Sequence, residues 1–221
     1  MNIDKFNFND WDFLYAKGMQ GEYPSEMLIR FVNSKLRNKS GIKILDIGCG
    51  TGRNLAFLAE KRFKPYGIEC SGKAIEIAEN WLMKKKVKVD IKHGSVLDKN
   101  LYEKDIGAVV DIACMQHHVL HDIKLIISNV HHSIAENGYF FSIIKNQDDS
   151  LYNSGECIEG PTYKFPSNAE KVNVPVIITF PSFDEIVELF SCFSHVEIEK
   201  EEWTYNNRSK KVSHWIITAR K

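Results

Sequence analysis

The chain has 221 residues, with 29 basic and 29 acidic side chains and a formal net charge of zero at pH 7. That balance gives no global attraction for nucleic acid or an anionic membrane, although a local patch stays open. Hydrophobic residues at 43%, with 13 Phe, are enough for a sizeable core, and no run is long enough to span a bilayer.

The N-terminal stretch Met1–Asp10 is polar and lacks the apolar run of a signal peptide. Five cysteines (Cys49, Cys70, Cys114, Cys157 and Cys192) form no C-x-x-C pair and are odd in number. They fit reduced thiols better than a disulfide framework. The expectation is a soluble, cytoplasmic protein. Residues 24–36 then read as a helix, with Leu28, Ile29, Val32 and Leu36 on its apolar face.

Residues 42–47 form a short apolar strand that runs into a glycine-rich turn. The stretch 44–52 reads Ile-Leu-Asp-Ile-Gly-Cys-Gly-Thr-Gly, with glycines at Gly48, Gly50 and Gly52. A pyrophosphate-binding dinucleotide turn has the spacing G-x-G-x-x-G. The spacing here is G-x-G-x-G, which argues against a nicotinamide dinucleotide and for a nucleoside-type cofactor without phosphates. A helix at 53–61 and a second strand at 65–69 follow, the strand ending on Glu69. An acidic residue about twenty positions past such a turn can accept hydrogen bonds from both hydroxyls of a ribose.

Ser71 is placed to cap a helix over 73–86. Its end, Lys84-Lys85-Lys86, reads as a solvated terminus that complements the helix dipole. A period-two run at 87–93 predicts a third strand, and the nearly unbroken apolar run 108–115 a fourth, buried on both faces. A helix around 122–136, ended by Asn137-Gly138, precedes a fifth strand at 139–144. This alternation implies an α/β fold, a parallel sheet with helices on both faces.

From 146 to 181 the pattern changes to a long segment rich in Gly and Pro, in which only 174–180 reads as a strand. Segments of this length within a compact domain are commonly lids or substrate walls. Ser182 to Glu185 is a capping-box signature opening a last helix through Phe190. Strands at 196–201 and 212–219, with no helix between them, suggest an antiparallel pair.

Taken together, these residues resemble the class I S-adenosylmethionine-dependent methyltransferases. The carriers are Ile-Leu-Asp-Ile-Gly-Cys-Gly-Thr-Gly-Arg at 44–53, Gly-Ile-Glu at 67–69, His-Gly-Ser-Val at 93–96, and Asp-Ile-Ala-Cys-Met-Gln-His-His-Val-Leu-His at 111–121. The resemblance implies a Rossmann-like, seven-stranded, mostly parallel sheet whose last strand is antiparallel. It also implies one domain over 1–221, with an N-terminal helical cap at 1–40 and a lid-like insertion at 146–181.

By the same resemblance the cofactor is S-adenosylmethionine and the product S-adenosylhomocysteine. Gly48, with Asp46 in support, Cys49, Gly50 and Gly52 would surround its methionine part. Glu69 would hold the ribose, and Cys70, Ser95 and Val96 would meet the adenine. Ser95 stands where the family often has an Asp, a weaker contact. Met115 and Gln116 would border the methionine moiety.

Methyl transfer needs the acceptor lone pair in line with methyl and sulfur, and a base only where the acceptor must lose a proton. His118, His117 and His121, just past the fourth strand, are the base candidates, with His118 first; each also suits a structural role. Trp11, Tyr15, Tyr23 and Tyr163 are candidates to close the site, the first three by facing a sulfonium through their rings. No metal site is expected. The resulting expectation is methyl transfer to oxygen or nitrogen of a small-molecule acceptor. An RNA- or protein-directed enzyme, or a non-catalytic S-adenosylmethionine-binding subunit, is the alternative.

Overall fold

The computed structural model describes residues 8–19, 21–165 and 175–221. Two helices come first, α1 (Phe8–Ala16) and α2 (Glu26–Lys35). The alternating core follows as β1 (Lys43–Ile47), α3 (Arg53–Glu60), β2 (Lys64–Glu69), α4 (Gly72–Lys84), β3 (Asp90–His93), β4 (Ile106–Ile112), α5 (Leu120–Ser133) and β5 (Ile134–Lys145). Three short strands, β6 (Glu156–Glu159), β7 (Thr162–Phe165) and β8 (Val176–Thr179), precede α6 (Phe183–Leu189) and a final hairpin of β9 (His195–Tyr205) and β10 (Lys210–Arg220).

The main sheet has seven strands in the order β3-β2-β1-β4-β5-β10-β9. The first five are parallel, and β10 runs antiparallel to both β5 and β9. The sheet is therefore the Rossmann-like, mostly parallel one expected. Strand order runs outward from β1 to β3, then returns to β4 on the other side of β1. Ligands of open α/β sheets sit in the crevice at such a reversal, beyond the carboxyl ends of the strands. The glycine turn after β1 and a 3-10 turn at Met115–His117 after β4 flank this crevice.

The central strands are apolar because both faces are covered. Leu45, Ile47, Val109, Phe140 and Ile144 pack with Ile123, Ile126 and Ile127 of α5 and Ile186 of α6. Ile44, Ala108, Val110, Phe141 and Ile143 face Leu28, Phe31 and Val32 of α2 and Phe57 and Leu58 of α3. The helix starts follow local chemistry. Ser71 Oγ accepts from Ala74 N at α4, and Ser182 with Glu185 forms a complete capping box at α6.

Several boundaries differ from the sequence expectation for identifiable reasons. The fourth strand ends at Ile112, not residue 115, because Ala113 turns the chain at φ +64°. Asp111 Oδ1 then accepts the N–H groups of Cys114 and Met115. The fifth strand begins at Ile134, and its pairing with β4 shifts register between Ile106 and Ala108, with Asn137 at φ +63°. The third strand is shorter, because Val87 and Val89 pack beside Cys49 and Leu55 ahead of the ladder.

The segment expected to hold one strand holds three, paired antiparallel as β6-β7-β8. β6 is exposed at three of its four positions, so it carries no alternation to read. Residue 174, the first of the expected strand, lies outside the described residues. Among the described residues no helix is long and apolar enough to cross a membrane.

Candidate functional site

At the carboxyl end of β1 the chain turns through Gly48, Gly50 and Gly52, at φ +63°, +53° and +80°. A side chain is excluded at two of these for a second reason. A Cβ on Gly48 would lie 2.4 Å from Cys114 Sγ, and one on Gly50 would lie 2.8 Å from the Tyr15 hydroxyl. The turn is thus packed closely by Cys114 after β4 and by Tyr15 of α1.

Glu69 ends β2 and is 4% exposed. Its Oε2 accepts from Gly50 N at 2.8 Å and its Oε1 from Ser71 N at 2.8 Å. One carboxylate therefore ties the glycine turn to the start of α4. Oε2 keeps a further lone pair for a ligand hydroxyl. Cys70 also donates its thiol to Glu69 Oε1, at 3.5 Å.

Asp46, 1% exposed, leaves Oδ2 buried without a hydrogen-bond partner among the described residues. Burial first, and then the charge of Asp111, pushes its carboxyl up to about 8, against the opposing pull of Arg53 and Asn54. An orphaned, reluctant anion beside the glycine turn suits a ligand carrying positive charge. Asp111 itself is raised to about 6 by burial, while its hydrogen bonds from Ser142 Oγ, Met115 N and Cys114 N pull the other way.

The helix α1 forms a roof over this crevice. Asp12 Oδ1 accepts from Ser71 Oγ at 2.6 Å and from Lys73 N at 2.9 Å, docking α1 onto the first turn of α4. These bonds, Ser71 first, hold the Asp12 carboxyl below its ordinary value. Burial, then the charge of Glu69, holds the Tyr15 phenol well above its own. The Trp11 ring stands edge-on to His117 with centroids 5.0 Å apart, and Leu14 packs into a cluster with Tyr163, Phe165, Ile178 and Phe180.

The strands β6–β8 complete the enclosure by bonding to the turn after β4. His117 Nδ1 lies 2.9 Å from the Ile177 carbonyl, and Thr179 Oγ1 donates to the His118 carbonyl at 2.6 Å. A carbonyl only accepts, so Nδ1 of His117 carries the proton and Nε2 keeps its lone pair. Burial, chiefly, pulls the His117 pKa down to about 4. His118 is lowered by burial too, and its Nδ1 is buried with no hydrogen-bond partner among the described residues.

The expected site residues divide into two groups. Asp46, Gly48, Gly50, Glu69, Cys70, Trp11, Tyr15 and His117 share the crevice and its roof, whereas Cys49 packs with Leu55, Ala56 and Leu82 and Gly52 lies against Ala78 of α4. Met115 is fully buried in the main core, and Gln116 uses Oε1 to accept from Lys145 N at 3.1 Å. Ser95 Oγ accepts from Leu97 N, and the Val96 carbonyl accepts from the Tyr102 hydroxyl. His121 is exposed on α5, and Tyr23 is 79% exposed, away from the cluster. Tyr163 packs against Tyr152 and Phe180 within the inserted sheet. Sequence reasoning missed Asp12, Asp111, Lys145 and Asp149. Only Asp111 had a signal, as the acidic residue in an otherwise apolar strand.

Residues 44–138 match the family model described as a methyltransferase domain. A curated relative, a ubiquinone biosynthesis O-methyltransferase of Pelagibacter ubique, is 29% identical over 149 residues. That match takes in 66% of this chain and 57% of the relative, so the chain spans little more than half of that relative's length. A SAM-dependent methyltransferase structure from Methanosarcina mazei superposes with a TM-score of 0.69 at 18% identity, covering 89% of this chain and 98% of that one. The 1,6-didemethyltoxoflavin-N1-methyltransferase of Burkholderia thailandensis, solved with 1,6-didemethyltoxoflavin and S-adenosylhomocysteine, gives 0.58 at 16%, covering 88% and 76%. At these identities the structural likeness is one of fold.

Proposed function

We propose that this chain, a class I S-adenosylmethionine-dependent methyltransferase, transfers the methyl group to an oxygen or nitrogen atom of a small-molecule acceptor. The observation that carries the reading is the Glu69 carboxylate bridging Gly50 and Ser71 beneath a roof made by α1 and the inserted strands. The residues fit the donor. Gly48 and Gly50 carry the turn at positive φ with its backbone closely packed, and Asp46 Oδ2 is a buried carboxyl oxygen without a hydrogen-bond partner among the described residues, ready to ionise beside a cation.

Glu69 would receive a ribose hydroxyl on the free lone pair of Oε2, and a second one at Oε1 in place of the long Cys70 thiol contact. Asp46 would balance the positive charge of the methionine part, and Tyr15 and Trp11 would cover it. Cys70, Ser95 and Val96 are the adenine-side residues in this reading, with Cys49 and Gly52 completing the turn. Bound there, S-adenosylmethionine supplies an electrophilic methyl on a sulfonium sulfur. The chain's own contribution is alignment and the exclusion of water.

Support for a small acceptor comes from the enclosed roof and from the small-molecule substrate named for the Burkholderia protein. The neutral charge balance gives no broad docking field for a nucleic acid. Two measurements test the reading: calorimetric titration with S-adenosylhomocysteine, and a methyl-transfer screen over phenols, enols, carboxylic acids, amines and nitrogen heterocycles. Saturable cofactor binding with turnover in one of these classes is expected. Absence of cofactor binding would overturn the reading, and turnover on RNA or protein alone would replace the acceptor class.

A further inference from the structure

Next to the roof lies a buried polar cluster to which the cofactor reading above assigns no role. Lys145 ends β5, 7% exposed, and its Nζ donates to Asp149 Oδ2 at 2.7 Å. Asp149 also accepts from Ser213 N at Oδ2 and from Leu151 N at Oδ1. The carboxylate is therefore occupied on both oxygens, whereas the ammonium has two further N–H groups. Lys145 lies opposite His214 in the β5–β10 register, and its backbone N–H bonds to Gln116, the residue before His117.

Two neighbours are left unsatisfied. His214 Nδ1 and Asn146 Nδ2 are both buried without a partner among the described residues. Desolvating a charged pair and leaving polar atoms unpaired beside it is costly unless a ligand completes the set. The cluster offers a cation and an amide donor but no free carboxylate, so its complement is an electron-rich oxygen. The charge of Lys145 is felt at both His117 and His214, whose pKa values burial chiefly draws down to about 4. The nearby titratable groups that act on His117 are Lys145 and His118.

We propose that Lys145, pinned by Asp149, is the acceptor-binding residue of this site and selects an acceptor whose reacting oxygen is an acidic hydroxyl, a phenol or an enol. This rests on the methyltransferase reading above. Lys145 Nζ holds that oxygen and favours its ionised form, while His117 Nε2 faces the leaving proton. As the O–H bond breaks, its proton passes to Nε2. The oxygen's electron pair forms the new O–C bond, and the S–C electrons stay on sulfur. The products are a methyl ether, neutral S-adenosylhomocysteine and a protonated His117. The negative oxygen offsets the effect of Lys145 at His117, so a weakly basic imidazole suffices.

The test uses the protein saturated with S-adenosylhomocysteine and the probe 4-nitrophenol, whose ionised form absorbs visibly, with 4-nitroanisole as its non-ionisable counterpart. In the wild type, 4-nitrophenol should bind at least tenfold more tightly than 4-nitroanisole, with its pKa lowered by about one unit or more. Lys145→Arg should keep the ionised band. The double variant Lys145→Met with Asp149→Asn removes both charges together and should lose it, with S-adenosylhomocysteine affinity unchanged within about twofold. Binding of the probe only as the neutral phenol, an unaltered band in the double variant, or no binding to the loaded wild type would each overturn the assignment. Failure of S-adenosylhomocysteine itself to bind would instead overturn the methyltransferase reading.

Discussion

Removing the Glu69 carboxylate leaves the N–H groups of Gly50 and Ser71 without their acceptor. Glu69→Ala should therefore weaken S-adenosylhomocysteine binding by about 1.5–3 kcal/mol, and cost folding stability of about 1–3 kcal/mol for each buried N–H left unpaired. Calorimetry and denaturant unfolding separate the two effects, and unchanged affinity would remove Glu69 from the ribose. At Asp46 the sign follows from a raised pKa. The carboxyl titrates near 3.8 unfolded and near 8 folded, so its stability contribution is present below 3.8 and is lost as pH rises through about 8. A cationic ligand favours the anion. S-adenosylmethionine binding should therefore release protons below about pH 8 and tighten as pH rises toward it. Titration in buffers of different ionisation enthalpy measures this, and Asp46→Asn should abolish the proton release. Glu69 was a candidate from its position about twenty residues past the glycine turn, and Asp46 only through the family resemblance. Asp12 and Lys145 were not, since their roles come from partners at Ser71, Lys73 and Asp149 that no local pattern connects.

Among the elements, α1 gives the sharpest expectation, because its attachment to the core depends on Asp12 completing the cap of α4. Asp12→Ala should cost about 1 kcal/mol, the size of a lost helix cap, and weaken cofactor binding several-fold by freeing Tyr15 from the glycine turn. Faster amide exchange over 10–16, read by mass spectrometry, would accompany it; unchanged exchange would mean that Asp12 does not hold α1 in place. The turn after β1 is equally specific. Gly48→Ala adds backbone strain of about 1–2 kcal/mol at φ +63° and a Cβ at 2.4 Å from Cys114 Sγ. Overpacking of that kind costs about 1–3 kcal/mol more. Thermal unfolding should show the loss, and a second change, Cys114→Gly, should recover the packing part but not the strain. The sequence marked this turn by its glycines. It did not mark β6 and β7, whose residues lack the alternation that identifies a strand half-buried on a sheet.

For the whole molecule, the ligand is expected to act as a tie between layers that the chain joins only at their edges. The crevice is bounded by the turns after β1 and β4, by α1, and through His117 by β8. S-adenosylhomocysteine at about one hundred times its Kd should raise stability by about 2.7 kcal/mol, which for a chain of this size is a Tm increase on the order of 5–11 °C. Protection from exchange should rise together in α1 and the inserted strands, and a shift confined to the glycine turn would contradict a shared roof.

The sequence by itself determined the α/β alternation, the glycine turn and an acidic residue, Glu69, at the end of the second strand, because strand periodicity, turn conformation and caps are properties of neighbouring residues. Only the tertiary structure decided which elements enclose the crevice and which buried polar groups meet. Asp12 meets Ser71, Thr179 meets His118, and Lys145 lies opposite His214 in the register of β5 with β10. Such contacts arise where separate elements pack, so they are fixed by the order and handedness of the sheet. No window along the chain contains both partners.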